Sequence, residues 1–385
     1  MSSPSVMTAV VPYLRKGAEA ISASEVVGNF HVHTIYSDGT GTHLQVAQAA
    51  AQAGLDVVTF TDHNLRADHH TGWYICPSTG RKVLLLMGQE VHDETRSPSV
   101  NHYLCLGVDQ DVHTYAARPQ RLITACRQHG GVGFIAHPIE HPVPIFPQIL
   151  AFPWVDWDVT GYTGIEVWNH GSEFKSVLAN IPIAIVASFL PDLFISGPFP
   201  ETLARWDRLT STGRRVVAIG NADAHANVYK IGPIHRHVFD YEYLFKTVNT
   251  HLLLEAPLAA DWALASQQVM GALKAGRAFV AYNRLGSARG FRFVAVGPRA
   301  CASMGDEVYL EDGLTLHARV PQPAAIRLLK DGREVGRTRG RQMKVPVHEP
   351  GVFRVEVRGA YGSRGLMGIN KPPVWILSNP IYVRV

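Results

Sequence analysis

The stretch Asn29-Phe30-His31-Val32-His33-Thr34-Ile35-Tyr36-Ser37-Asp38-Gly39 reads as the end of a strand running into a turn closed by glycine. Side chains at i and i+2 of a strand share a face, so His31 and His33 direct two imidazoles at one point. Asp38 in the turn adds a carboxylate. Two imidazoles and a carboxylate suit a borderline divalent metal, provided the rest of the chain supplies further ligands. The spacing alone does not decide this. With 19 histidines in 385 residues, about one H-x-H triplet is expected by chance, and a second, His235-Arg236-His237, is present.

Composition narrows the classes. At 385 residues and 46% hydrophobic content the chain can bury a sizeable core and hold two domains. Basic residues number 36 against 32 acidic, with no long basic run, so no nucleic-acid surface is indicated, while the small positive excess suits a small anionic substrate. The four cysteines, Cys76, Cys105, Cys126 and Cys301, show no C-x-x-C spacing. Neither a disulfide framework nor a thiolate zinc site is indicated, and a reducing, cytoplasmic compartment fits. Met1 to Ile21 lacks the pattern of a signal peptide and reads as a tail. The most apolar run, Ile181 to Ile195, is interrupted by Pro182, Pro191 and Asp192 and is too short to span a bilayer, so no membrane association is expected.

Working outward, Glu25 to His33 is a first strand, Thr42 to Ala53 a helix capped by Gly54, and Asp56 to Thr61 a buried strand ending in Thr61-Asp62-His63-Asn64. Arg66 to Gly80 reads as an excursion loop. Val83 to Met87 closes on Gly88-Gln89-Glu90, and Asn101 to Gly107 carries His102 at its start, which requires an antiparallel or offset strand. Pro119 to His129 is helical and leads to the strand Val132 to Ala136, which ends in His137-Pro138. Gly164 to Trp168 carries Glu166, Glu201 to Thr212 is a helix, and Arg215 to Ile219 precedes Asn221-Ala222-Asp223-Ala224-His225. Alternating strands and helices with short connections imply a largely parallel sheet that closes into a barrel. His63, Glu90, His137, Asp223 and His225 all fall at or just past strand ends, where barrel enzymes collect their chemistry.

Beyond the helix Trp262 to Gly276 the character changes. Short β-rich segments follow: Phe291 to Val296, Leu314 to Val320, Ala325 to Leu329, Val352 to Arg358 and Ile381 to Val385. Lys330-Asp331-Gly332-Arg333 is a strong hairpin signal. The expected organisation is an N-terminal tail over residues 1–26, an α/β barrel over 27–286 and a β-sandwich over 287–385.

The ordered set His31-x-His33, Ser37-Asp38-Gly39, Thr61-Asp62-His63, Gly88-x-Glu90, His102, Ala136-His137-Pro138 and Asn221-Ala222-Asp223-Ala224-His225 resembles the PHP family, named for polymerase and histidinol phosphatase. The resemblance covers about Val27 to Ala281. It implies a distorted (β/α)7 barrel that binds two or three divalent ions, Zn, Mn or Fe, and hydrolyses phosphoesters. Carried over by position, it implies that His31, His33, Glu90 and Asp223 hold one metal and that Glu90 bridges to a second held by His102 and His137. Asp38, His63 and His225 hold the third. The sequence departs at Asn64, where the family often has Asp, and in its β-rich tail. That tail, ending Trp375-Ile376-Leu377-Ser378-Asn379-Pro380-Ile381-Tyr382, looks more like the branch that includes carbaryl hydrolases.

The chemistry follows from the residue types as well. Divalent ions held by imidazoles and carboxylates lower the pKa of bound water, supply a hydroxide nucleophile and clamp oxygens that gain charge. Glu90 is the natural bridge, and Glu90, Asp38, His63, Asp223 and His225 are the expected catalytic set. Asp62 is read as orienting a neighbouring ligand, and Glu166 as structural. His235, Arg236, His170 and Lys230, with Arg66, are chemically suited to an anionic substrate but read equally as solvated loop residues. The aromatic- and Pro-rich stretches Phe146 to Trp157 and Ile181 to Pro200 are long for connections and are expected to shape the substrate pocket or a homo-oligomer interface. Two other functions remain open: a carbamate, ester or amide hydrolase on the same centre, and a non-catalytic module braced by metal.

Overall fold

The helix after the opening turn shows how local sequence sets the architecture. Thr42 caps it by accepting from the Gln45 backbone N–H while the Gln45 side chain accepts from Thr42 N, a reciprocal pair that satisfies two donors a helix start leaves orphaned. Gly54, at φ 88°, ends it in a left-handed turn that costs glycine no steric strain. The helix His43–Ala53 buries Val46, Ala47, Ala50 and Ala51, one stripe of its surface, against the strands on either side. The computed structural model describes residues 24–143, 146, 149–231, 234–359 and 372–385.

The first eight strands are β1 (Ser24–Asn29), β2 (Val57–Phe60), β3 (Gly72–Ile75), β4 (Lys82–Val91), β5 (Tyr103–Leu106), β6 (Val132–Ile135), β7 (Gly164–Asn169) and β8 (Val217–Asn221). β1, β2 and β4 run parallel, β5 is antiparallel to both β4 and β6, and β6, β7 and β8 are parallel again. Just past β1 and β8 the chain forms an isolated parallel bridge between Val32 and Ala224. His33 N donates to Ala224 O and Ala224 N to His31 O, so the first and eighth segments meet.

A short hairpin of β9 (Val228–Ile231) and β10 (Ile234–His237) follows, then β11 (Val248–Leu254) and β12 (Ala278–Tyr282), with β11 antiparallel to β1 and to β12. The remaining strands are β13 (Arg292–Val296), β14 (Cys301–Ser303), β15 (Glu307–Tyr309), β16 (Thr315–Lys330), β17 (Arg333–Pro346), β18 (Gly351–Arg358), β19 (Val374–Ser378) and β20 (Ile381–Arg384). β12 pairs with β19, so eighteen of the described strands form one mixed hydrogen-bonded network. The chain is therefore mixed α/β. No helix among the described residues is long and apolar enough to cross a membrane.

Most expected elements are present, with instructive departures. Arg66 to Gly80 is not all loop, because Gly72–Ile75 pairs antiparallel with β4. Leu314 to Val320 and Ala325 to Leu329 are one strand, β16, interrupted only by a register shift between Arg319 and Ala324. The hairpin at Asp331-Gly332 is present, with both residues at positive φ (50° and 78°) and Lys330 facing Arg333, as a two-residue turn of that hand requires. His235 to His237 lies in a strand rather than a loop. The Ile181 to Ile195 run contains the helix Ile181–Phe189, with Ile181, Ile185 and Phe189 exposed.

Glu25 ties the first strand to the C-terminal region. Its carboxylate lies 2.8 Å from His251 Nδ1 and accepts from Arg292 Nη1 at 2.7 Å and from Gly290 N at 2.8 Å. Burial alone would raise this acid, but His251, Arg292 and the Gly290 amide outweigh it and hold it at about 2. An acid depressed on folding stabilises fully above its unfolded pKa and loses that contribution as pH falls through its folded value. Wild-type stability is thus expected to fall by up to about 3 kcal/mol between roughly pH 4.5 and 2 from this residue alone. The Glu25→Gln variant should show a shallower acid limb in denaturant titrations, and parallel limbs would contradict the assignment.

Candidate metal centre

The opening stretch delivers its two imidazoles as read. Val32 lies between them in the bridge to Ala224, so the same pairing that closes the strand circuit sets Asp223 and His225 beside His31 and His33. His31 Nε2 lies 3.2 Å from Glu90 Oε2 and 3.3 Å from Asp223 Oδ1, and His33 Nε2 lies 3.2 and 3.4 Å from the same two oxygens. Glu90 presents its other oxygen elsewhere. Oε1 is 3.0 Å from both His102 Nδ1 and His137 Nε2. Asp38 Oδ1 is 3.1 Å from His225 Nε2, and Asp38 Oδ2 is 3.7 Å from His63 Nε2. All nine residues named in the sequence are brought together, and β5 is antiparallel as His102 required.

The turn that carries Asp38 is held from beneath. Gly39 has no room for a side chain, since a Cβ there would meet His33 O at 2.4 Å. Asp62 accepts from Thr34 N, Thr34 Oγ1 and Ser37 Oγ at 2.7–2.8 Å. Asp62 thus fixes the Asp38 turn, and it reaches one of the nine residues only through Ser37, whose Oγ lies 3.4 Å from His33 Nδ1. The ring nearest to it is His43, at 3.9 Å. Two of the nine residues sit in the left-handed region without being glycine, His137 at φ 24° and Asp223 at φ 56°, as is common where structure over-determines a functional site.

Glu166 has a larger part than the sequence suggested. It is buried in β7, with Oε1 3.1 Å from His31 Nδ1 and accepting from Asn221 Nδ2, and Oε2 accepting from His137 N and Asn169 Nδ2. A carboxylate only accepts, so His31 carries a proton on Nδ1. Burial opposes its charged form, but Asp223, Glu90 and Glu166 outweigh burial and raise the ring well above the usual imidazole range. Nε2, which faces Glu90 and Asp223, is the nitrogen a metal would take in place of its proton. The only hint in the sequence was a Glu inside an otherwise apolar strand. His225 is fixed similarly, with its Nδ1 3.0 Å from Asp223 O.

The electrostatics suit cations. Burial opposes the charged forms of Glu90 and Asp223, yet the surrounding rings, His31 foremost, hold both well below the usual carboxylate range. Burial likewise opposes charge on His33 and His137, but contacts with Asp223 and Glu90 for the first and Glu90 for the second raise them to about 10 and about 9. Burial dominates at His63 and His102, which fall to about 3 and about 4. Buried nitrogens of His31, His33 and His63 face carboxylate oxygens at 3.2–3.4 Å without forming a hydrogen bond, and His102 Nε2 and His137 Nδ1 have no hydrogen-bond partner. Orphaned buried polar atoms of this kind are rare in a folded core, and four overlapping sets of ligand atoms lie within 4.8 Å of one another. The donor set, imidazole and carboxylate without thiolate, fits divalent ions such as Zn, Mn or Fe.

His170 is not a loop residue facing solvent. It is fully buried among Phe174, Phe239, Tyr243 and Tyr282, and burial lowers it to about 4. The side chains of Lys230, His235 and Arg236 lie outside the described residues. Arg66 pairs with Asp68.

No family model matches the chain. A phosphoribosyl 1,2-cyclic phosphate 1,2-diphosphodiesterase of Eggerthella lenta is 32% identical over 92 residues, which is 24% of this chain. The match spans 35% of that relative's own length. Among solved structures, a two-domain protein from Bacteroides vulgatus containing a predicted PHP-like metal-dependent phosphoesterase is 15% identical, with a TM-score of 0.41, over 92% of this chain and 95% of that one. A candidate metal-dependent phosphoesterase from Bifidobacterium adolescentis is 16% identical, with a TM-score of 0.32, over 51% of this chain and 87% of that one.

Residues that fix a ligand's tautomer typically change metal affinity or turnover by about 10- to 100-fold when replaced. Glu166→Gln should therefore weaken divalent-metal binding in that range while leaving a cooperative unfolding transition. Competition titration of metal against a chromophoric chelator checks it, and unchanged affinity would return Glu166 to a purely structural role.

Proposed function

We propose that the chain is a metal-dependent phosphoesterase that hydrolyses a small anionic phosphoester at a centre of two or three divalent ions. The observation that carries this is the disposition of Glu90, whose two oxygens face two separate groups of imidazoles within one buried pocket. His31, His33, Glu90 and Asp223 are assigned to one ion, Glu90, His102 and His137 to a second, and Asp38, His63 and His225 to a third. The order of motifs that resembles the PHP family and the phosphodiesterase name of the partial relative support the choice of phosphoester.

Bound ions of this kind supply Lewis acidity and lower the pKa of coordinated water. The chain's own residues do the rest. Glu166 keeps the His31 proton on Nδ1, Asp62 fixes the turn that brings Asp38 toward His63 and His225, and the walls around Glu90 exclude bulk water, which strengthens every charge interaction inside. Asp38, 56% exposed at its side chain, lies at the open face and is the ligand nearest to where a substrate enters.

The strand circuit from β1 round to β8 with its closing bridge is read as a distorted (β/α)7 barrel over 27–286, and the strands after β12 as a β-sandwich over 287–385. Lys230, His235 and Arg236 on the β9–β10 hairpin are assigned to the anionic group of the substrate. The four cysteines are free, which suits the cytoplasm.

Metal-loaded protein should turn over p-nitrophenyl phosphate or bis(p-nitrophenyl) phosphate and lose that activity on chelation. Turnover of activated carbamates or esters with no phosphoester activity would overturn the choice of substrate in favour of the carbaryl-hydrolase-like branch. Glu90→Gln should lower kcat by about a hundredfold or more while retaining the fold, and full turnover in that variant would sink the mechanism.

A further inference from the structure

Beside the nine residues lies a tenth imidazole, His92, two positions past Glu90 at the end of the β4 segment. Its ring stacks on His102 with centroids 4.4 Å apart and planes 19° from parallel, and meets His63 edge-on at 4.9 Å. Ligand atoms of His63, His92 and His102 all lie within 4.8 Å of one another. Each of the three rings also has a buried nitrogen without a hydrogen-bond partner: Nδ1 of His63, Nδ1 of His92 and Nε2 of His102. His63 Nδ1 still has Glu90 Oε2 at 3.2 Å, but the His92 and His102 nitrogens face no such carboxylate, and leaving a buried polar group unsatisfied costs about 1–3 kcal/mol, so the three convergent rings suit a shared partner.

The position of His92 is fixed by the backbone. Asn64 Oδ1 accepts from His92 N at 3.0 Å, and Asn64 N donates to Glu90 O at 3.0 Å, so Asn64 clasps the strand on both sides of Val91. Asn64 sits in the left-handed region at φ 50°, which Asn tolerates better than most residues. The Asn that departs from the Thr-Asp-His-Asp pattern is thus the residue that holds His92 against His63 and His102.

We propose that His92 is a metal ligand, completing with His63 and His102 an all-imidazole site on the flank of the carboxylate-bearing centre. This rests on the reading of that centre as metal-binding. The chemistry of the site differs from its neighbours'. It offers three imidazole nitrogens, no carboxylate and no thiolate, so it favours Zn, Cu or Ni over Mn or Fe(II) and leaves a coordination position open. His63, whose Nε2 faces Asp38 and whose Nδ1 faces Glu90, and His102, whose Nδ1 faces Glu90, are the rings shared between the two environments, and each serves both at once only after giving up its ring proton to solvent. Metal preference at this flank would then be set by His92, which pulls the ligand set toward nitrogen.

The test uses the full chain, stripped of metal and reloaded with Zn, comparing wild type with His92→Phe and His92→Ala. Phe keeps a flat ring against His102 but offers no lone pair, so it separates ligation from stacking. Stoichiometry by elemental analysis and affinity by chelator competition are the readouts, with Co substitution reporting nitrogen ligation in the visible spectrum. Ligation predicts that both variants lose the same class of Zn, weakened about tenfold or more, while retaining the Mn affinity of the remaining sites. Two results overturn it: Zn stoichiometry and affinity unchanged in both variants, or loss in His92→Ala restored by His92→Phe, which assigns the ring to packing. If wild-type protein binds no divalent ion, both the centre and this site fail together. Wild-type binding with unaffected variants removes His92 alone.

Discussion

A carboxylate buried to 1% exposure and surrounded by five imidazoles is the constraint around which this molecule is arranged. Moving an ion of that size out of water costs several kcal/mol even after the protein relaxes, so Glu90 survives only with cationic or hydrogen-bonding partners on both oxygens. The protein meets that demand from four segments distant in sequence. His31 and His33 lie just past the first strand, His63 just past the second, His102 just before an antiparallel strand and His137 just past the next parallel one. A charge that must be neutralised from so many directions fixes the relative positions of the strand ends more tightly than apolar packing can, because packing is nearly indifferent to direction.

The ring of ligands is in turn held by polar groups that never face the centre. Phe30 N donates to Asn221 Oδ1, Val32 N to Thr61 Oγ1 and Thr34 N to Asp62 Oδ1, so alternate amides of the opening stretch are satisfied by side chains of neighbouring strands, while His33 N between them donates to Ala224 O. A ladder would have continued the strand. Satisfying these amides one by one instead lets the chain leave the sheet, turn at Gly39 and return Asp38 beneath His225 without orphaned backbone donors. Glu166, Asn169 and Asn221 form the matching support on the opposite side, with each carboxylate oxygen occupied by two donors. Local polar saturation and site geometry are here the same feature.

The nine clustered residues were legible because they fall at ends of strands that apolar runs make easy to find, and because i, i+2 spacing has only one meaning on a strand. The supports were less so. Glu166 lies mid-strand in a buried run, where a sequence cannot say which of two faces it presents or that an asparagine 55 residues away completes it. His92 was missed because its role depends on antiparallel β5 bringing His102 against it, a pairing that sequence spacing leaves open. His170 read as a loop residue because it follows a strand, whereas it opens the short helix His170–Ser176 and is enclosed by aromatic rings contributed by residues 174 to 282. β17 carries four arginines and two glycines in a mostly exposed strand, and neither alternation nor β-branched content marks it, since its stability comes from the hairpin with β16.

The C-terminal strands bear on the centre through one buried side chain. Asn379, between β19 and β20, accepts from Ala218 N and donates to Ala218 O and Ala278 O, closing both backbone groups of a residue in the middle of β8. β8 is the strand whose end carries Asp223 and His225. On one side β7 pairs parallel with it, with a register shift between Glu166 and Trp168. On the other, Thr250 of β11 exchanges hydrogen bonds with Gly220 through its hydroxyl. Without Asn379, Ala218 would leave a donor and an acceptor buried and unmade, at about 1–3 kcal/mol each. The strand would then be free to shift along its length just where a displacement of about 1 Å at Asp223 would take its carboxylate out of reach of His31 and His33. The β-rich region therefore does more than enlarge the core: it fixes the register of the strand that closes the ring of ligands.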